Sequence, residues 1–224
     1  SITLALLPNA PHSLELARFA TEQGNELMLH LPMESSVSGT TREPNLLSVR
    51  QSETDFKAMV SEMLQEFPQV RGVNNHQGSL LTQQPAQMHW LMQSLLERGG
   101  LYFVDSRTHA QSVAARISRE YGLETAERSF FLDSKGDDLE GAMHQAREVI
   151  RRAETEAFVV VIAHPFDSSI QVLRQLVPEL RRRGHNIVPA SHLILMAEHR
   201  QFIAHCGDLI AHEDGSCSFP EGMH

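Results

Sequence analysis

Cysteine and tryptophan are scarce in this sequence, with two Cys and one Trp in 224 residues. Cys206 and Cys217 permit a single disulfide in an oxidising compartment, or two unrelated thiols, and no disulfide framework. Long apolar runs are missing too, so no stretch reads as a membrane span or a signal peptide. The opening residues Ser1-Ile2-Thr3-Leu4-Ala5-Leu6-Leu7 already read as a buried strand, and the chain is expected to begin inside a domain. Positive charge is in deficit, with 19 Lys and Arg against 28 Asp and Glu for a net charge of −9. That balance argues against a nucleic-acid or anionic-membrane surface. The run Arg181-Arg182-Arg183 reads as the last turn of a helix, where cations suit the macrodipole. No Gly-x-Gly-x-x-Gly fingerprint occurs, which removes support for dinucleotide binding.

What is present is a hydrophobic content of 41%, enough for one domain with a real core, or for a domain plus an appendage. Short apolar runs at 2–7, 26–31, 70–74, 101–105, 127–132, 158–163 and 187–188 alternate with helical periodicity. Alternation of this kind predicts a parallel sheet with helical crossovers. Seven units over about 190 residues suit a barrel better than an open sheet. The polar stretch 33–51 is long for a connection and is a candidate functional loop. Ser52-Glu53-Thr54-Asp55 resembles a helix-capping signal. A barrel domain over 1–198 and a tail or hairpin over 199–224 are expected.

The focal stretch is Val70-Arg71-Gly72-Val73-Asn74-Asn75-His76-Gln77-Gly78-Ser79, an apolar run ending in two amides, a histidine and a turn. Just past the strands stand His30, His76, Asp105, Asp133, His164 and Ser191. In a parallel α/β fold such positions lie at one end of the sheet, and converging imidazoles and carboxylates suit metal or acid–base chemistry. Each also has a plain reading. His30, between Leu29 and Leu31, fits a satisfied core histidine; Asp105 and Asp133 fit helix or turn caps, Asp133 especially; His164 before Pro165 fits a strand end. The C-terminal His199, His205 and His212 with the two cysteines match no zinc-ligand spacing.

Taken together, Gly24-Asn25-Glu26-Leu27-Met28-Leu29-His30-Leu31-Pro32-Met33-Glu34, Gly72-Val73-Asn74-Asn75-His76-Gln77-Gly78-Ser79, Phe103-Val104-Asp105-Ser106 and Ala163-His164-Pro165 resemble, in order, the divergent polysaccharide deacetylases. These are a distant branch of the NodB-like carbohydrate esterases. The resemblance runs from residue 1 to about 195. It implies a distorted parallel (β/α) barrel, a divalent metal (usually zinc), and a periplasmic or cell-envelope location in a bacterium. It further implies His30 and His76 as metal ligands, Asp105 and His164 in catalytic or supporting roles, and Asn75 and Ser79 as substrate-binding residues. Family members typically open with a strand ending in Asp-Asp, which supplies a metal ligand and a base. No such pair follows a strand near this N-terminus, since Asp137-Asp138 opens a helix; either that strand lies upstream of Ser1 or the protein lacks it. Glu34 sits where a substitute ligand would come from.

The activity implied is metal-assisted removal of acetyl groups from an acetylated polysaccharide or a peptidoglycan-like glycan. The alternative is a catalytically inactive barrel that binds polysaccharide or a protein partner in the envelope. A phosphoesterase would need more carboxylates and a basic clamp than the sequence offers.

Overall fold

The computed structural model describes residues 2–8, 10–37 and 44–197, together with the backbone of 210–211 and 217–218. Strands and helices alternate as the apolar runs predict. In order they are β1 (Thr3–Leu6), α1 (Ser13–Glu22), β2 (Glu26–Met33), α2 (Glu53–Glu66), β3 (Gly72–Gln77), α3 (Pro85–Arg98), β4 (Tyr102–Asp105), α4 (Ala114–Glu120) and β5 (Thr125–Glu127). They continue with β6 (Phe130–Phe131), α5 (Leu139–Ala153), β7 (Val161–Ile162) and α6 (Asp167–Arg182), and residues 190–197 are helical. Strands β1 to β5 form one parallel sheet in sequence order, and β6 and β7 form a second parallel pair. In the C-terminal stretch β8 (Ile210–Ala211) pairs antiparallel with β9 (Cys217–Ser218). The disulfide question at Cys206 and Cys217 lies outside the described side chains.

Two expected strands differ. The run 127–132 is broken at residues 128–129, because its first half pairs with β4 and its second half with β7. The Arg128 N–H still donates to the Asp105 carbonyl, and the Ser129 and Phe130 N–H groups donate to Val160, so the ladder passes from one sheet to the other. The apolar run 158–163 is strand only at β7 and half-buried. No strand pairs with its far side among the described residues, and its β-branched residues therefore gain less burial than a central strand's. Residues 187–188 form no strand; Pro189 has no N–H, and the next one, Ala190, donates to the Thr3 hydroxyl instead.

Pleating gives the sheet two unlike faces. Leu27, Leu29, Leu31, Met33, Val73 and Phe103 face helices α1 to α4 and join the main core with Ala17, Phe56, Val60, Met88, Leu91 and Ile117. Met28, Tyr102 and Val104 face the other way and pack with Ile194 of the last helical stretch. Helices α5 and α6 bury Ala142, Ala146, Val149, Val172, Leu176 and Leu180 against Leu132 in a third cluster. The α2 cap forms as its sequence predicts: the Asp55 N–H donates to Ser52 Oγ at 3.2 Å while the Ser52 hydroxyl donates to the Asp55 carboxylate at 2.7 Å.

Two glycines shape the inner face and the loop beside it. A Cβ at Gly72 would lie 2.2 Å from the Tyr102 ring, so only glycine lets that ring cross the strand. Gly78, at φ +84°, would place a Cβ 2.9 Å from Met33 Cβ, and its absence lets the turn after β3 settle on the end of β2. At the N-terminal end of the strands, Glu26 accepts from Thr3 at 2.8 Å, Tyr102 at 2.8 Å and the Ser191 N–H and hydroxyl. Burial raises the Glu26 pKa, but these donors outweigh it and hold the group below its ordinary value.

Candidate active site

Toward the C-terminal ends of the strands the inner face turns polar again, with imidazoles and an amide. His30 follows Met28 by two, and the parallel register places it directly opposite Asn74, with His76 two further along the same face. His30 Nδ1 lies 2.8 Å from Asn74 Oδ1. The amide Nδ2 meanwhile points to the Ser106 hydroxyl at 3.4 Å, which fixes which end of the amide faces the ring. An amide oxygen only accepts, so His30 carries its proton on Nδ1 and its lone pair on Nε2. His76 Nδ1 stands 3.0 Å from that Nε2, with the rings edge-on at 4.8 Å and 67°. Burial, followed by the charges of His76 and His164, holds the His30 pKa down to about 3 against the Asn74 bond. His30 is therefore neutral at any ordinary pH, which keeps the lone pair available.

The third imidazole belongs to His164, beyond β7, and its charge is felt at His30. Its Nδ1–H faces Asp133 Oδ1 at 3.0 Å. Asp133 Oδ2 accepts from the His164 N–H at 2.5 Å and from the Ser169 hydroxyl at 2.7 Å. The Asp133 side chain is 0% exposed and that of His164 39%, so a fully buried carboxylate holds a partly exposed ring by its Nδ1. Phe131 and Phe166 flank the ring at centroid distances of 5.2 and 5.7 Å.

The sequence matches the divergent polysaccharide deacetylase family over residues 1–194. The chain belongs to that family. Among its relatives, the uncharacterized protein YibQ of Escherichia coli K12 is 32% identical over 180 residues, covering 80% of this chain and 56% of YibQ. An uncharacterized protein of Haemophilus influenzae is 32% identical over 206 residues, 87% of this chain and 72% of that one. The chain thus spans little more than half the length of the E. coli relative. A crystal structure of an uncharacterized Agrobacterium tumefaciens C58 protein has the same fold, with a TM-score of 0.80 at 22% identity, covering 85% of this chain and 77% of the other.

The family's motif residues separate by face. His30 and His76 come together, and the charge of His164 bears on His30. Asp105 shares its parity with Phe103, on the helix side of the sheet; its oxygens accept from the Arg107 N–H and the Ser112 hydroxyl at 2.8 and 2.7 Å, tying down the loop after β4. Asn75 shares the face of Val73. Its Oδ1 accepts from the Ser106 N–H at 2.8 Å, while its Nδ2 donates to the Gln77 carbonyl at 2.8 Å. Ser79 Oγ accepts from the Ser36 N–H at 2.9 Å and meets the Ser35 and Ser36 hydroxyls at 2.9 and 3.0 Å, forming a hydroxyl cluster on the rim. Glu34 is buried, its carboxylate taken by the Ser48 hydroxyl and the Val49 N–H. It anchors the loop rather than facing the histidines. Ser191 lies on Glu26, with Thr3 at the start of β1, and so at the opposite end of the strands from His30. Asp133, expected to cap a helix or turn, is the His164 partner, and Asn74 and Ser169 were not foreseen as site residues. The signal for Asn74 was its spacing of two from His76.

The donor set fits a metal as far as two ligands. With Zn–N near ~2.05 Å, cis ligands of a tetrahedral ion stand about 3.3 Å apart. His30 Nε2 and His76 Nδ1, at 3.0 Å, need only a small spreading to receive one, with the His76 proton moved from Nδ1. Among the described residues no group of three or more His, Cys, Asp and Glu could complete the site.

Proposed function

We propose that this chain carries the catalytic imidazoles of a metal-dependent hydrolase that removes acetyl groups from an N-acetylated glycan of the bacterial periplasm or envelope. The observation that carries the reading is the pairing, at the C-terminal ends of β2 and β3, of two imidazole nitrogens at metal-ligand spacing, with a separate His–Asp dyad beyond β6 and β7. Membership of the deacetylase family supports it.

On this reading His30 through Nε2 and His76 through Nδ1 hold a divalent ion, zinc first, and the third ligand is a carboxylate from outside the described residues, where the family's Asp-Asp strand end belongs. Such an ion supplies Lewis acidity toward a water and toward the acetyl carbonyl. Asn74 fixes the His30 ring and its tautomer. His164 donates a proton to the departing sugar amine from Nε2, and Asp133 stabilises the imidazolium that precedes that step. Asp105 and Asn75 act through the loops they hold, and the Ser79 hydroxyl cluster meets sugar hydroxyls at the rim.

A second reading, a barrel that binds glycan or a protein partner without turnover, is favoured by the absence of a third ligand among the described residues. The full-length protein decides between them. Metal content and acetate release from acetylated glycans are measured for wild type, His30→Ala and His76→Ala. Metal and activity in the wild type, both lost in folded variants, support the hydrolase. A full-length wild type that binds no zinc, manganese, cobalt or nickel at micromolar concentration leaves the binding protein.

A further inference from the structure

Against Phe131, a neighbour of His164, stands a cation that the proposed chemistry does not use. Arg128 lies in the break between β5 and β6. Its Nε–H donates to the Ser106 carbonyl at 2.6 Å and an Nη2–H to the Arg107 carbonyl at 2.9 Å. Its guanidinium carbon sits 5.2 Å from the centroid of Phe131, the ring whose other neighbour, His164, is also at 5.2 Å. Ser106 in turn joins Asn74 and so His30. Arg128 therefore bonds to the Ser106 backbone on one side and lies over Phe131, a neighbour of His164, on the other.

Its charge is poorly compensated. Arg107 beside it is paired with Glu127 at 2.8 Å, and Asp105 has both oxygens on other donors. No carboxylate forms an ion pair with Arg128 among the described residues. Burial, then Arg107, lower its pKa, with Asp105 opposing. The two carbonyls occupy the Nε side of the guanidinium and orient the plane. The Nη1–Nη2 end, which can present two parallel N–H groups, keeps its capacity for a planar oxyanion. Holding a half-buried guanidinium without an acidic partner costs stability unless a ligand supplies one.

We propose that Arg128 is a substrate-binding residue that receives a sugar carboxylate, so that the glycan acted on at His30, His76 and His164 is an acidic one. The inference rests on the deacetylase reading for its glycan, and adds to it the substrate's charge. Phe131 touches both the guanidinium and the His164 ring, each 5.2 Å from its centroid, and Phe166, against His164 at 5.7 Å, is 36% exposed and open to stacking.

The test is binding without turnover, by titration calorimetry on the full-length protein. The probes are a hyaluronan hexasaccharide, which alternates N-acetylated and carboxylated sugars, and its carboxyl-reduced form. The chain's net charge of −9 works against any polyanion, so a preference for the acid form needs a local cation. Wild type is expected to bind the acid form roughly 10-fold more tightly or better, as for a charge-assisted bidentate contact. Arg128→Gln should bring the ratio near one, and Arg128→Lys, which keeps charge without the fork, to an intermediate value. A wild-type ratio near one, no binding of either probe, or undiminished discrimination by Arg128→Gln melting as wild type would overturn the proposal. Should Arg128→Gln not fold, an unchanged ratio in Arg128→Lys overturns it. Acetate release from neutral chitin oligosaccharides with no preference for acidic ones would overturn the acidic substrate and leave the deacetylase standing. An acid preference without metal or turnover would do the reverse.

Discussion

Asn74 and Asn75 are adjacent, both buried, and on opposite faces of β3, so their alanine variants separate the chemistry of the site from its scaffolding. Asn74→Ala removes the acceptor of the His30 Nδ1–H and leaves that donor unpaired in a buried site, at about 1–3 kcal/mol of stability. It also frees the ring to turn and to exchange tautomers, which lowers metal affinity by roughly 10- to 100-fold when an outer partner of a ligating histidine is lost. Asn75→Ala breaks the bonds to the Ser106 N–H and the Gln77 carbonyl at a similar cost in stability. It leaves the His30 tautomer alone. Urea unfolding in the presence of a chelator reads the first quantity, and chelator competition for zinc on the full-length protein reads the second. The expected result is two variants of comparable stability, of which only Asn74→Ala binds zinc weakly. Equal zinc affinity in the two would refute the role given to Asn74.

Three further outcomes follow from the same geometry. His30 has its pKa lowered from 6.5 to about 3, so the unfolded chain binds a proton there that the folded chain does not. That contribution to stability is present above pH 6.5 and is lost as pH falls toward 3. Between pH 7 and 5 it amounts to roughly 2 kcal/mol at most, so metal-free His30→Gln should show a flatter pH dependence of unfolding, and parallel curves would contradict the assignment. Asp133→Asn should lower the deacetylation rate by roughly 100-fold or more with a small effect on KM, since His164 loses the partner of its imidazolium; an unchanged kcat would remove His164 from proton transfer. Gly72→Ala should cost about 1–3 kcal/mol in urea unfolding, because its Cβ must displace the Tyr102 ring and with it the bond to Glu26. A wild-type midpoint would show that the ring moves freely.

The parallel α/β alternation was legible because each apolar run is short and several helices end on a glycine such as Gly24, Gly99 or Gly184. The strand-end histidines were legible for the same reason. What the linear reading mixed together was the two faces of the sheet. Asp105 and His76 both stand at strand ends, yet a one-residue difference in parity sends Asp105 toward the helices and His76 toward the inner face. Counting in twos from His76 would have picked Asn74 over Asn75. Asp133 and His164 are 31 residues apart, and only the β6–β7 pairing makes them neighbours. Ser191 resembled the other strand-end residues, but the segment before it is not a strand and it caps the opposite end.

The central claim is that His30 and His76 are ligands of one metal, and histidine side-chain nitrogen NMR of the full-length protein during zinc titration tests it most directly. The account predicts that His30 Nε2 and His76 Nδ1 move together to metal-bound shifts at one equivalent, while His30 Nδ1–H stays bonded to Asn74 and His164 Nδ1–H to Asp133. Saturating zinc that leaves both nitrogens unmoved, or that binds through His164 instead, would contradict it.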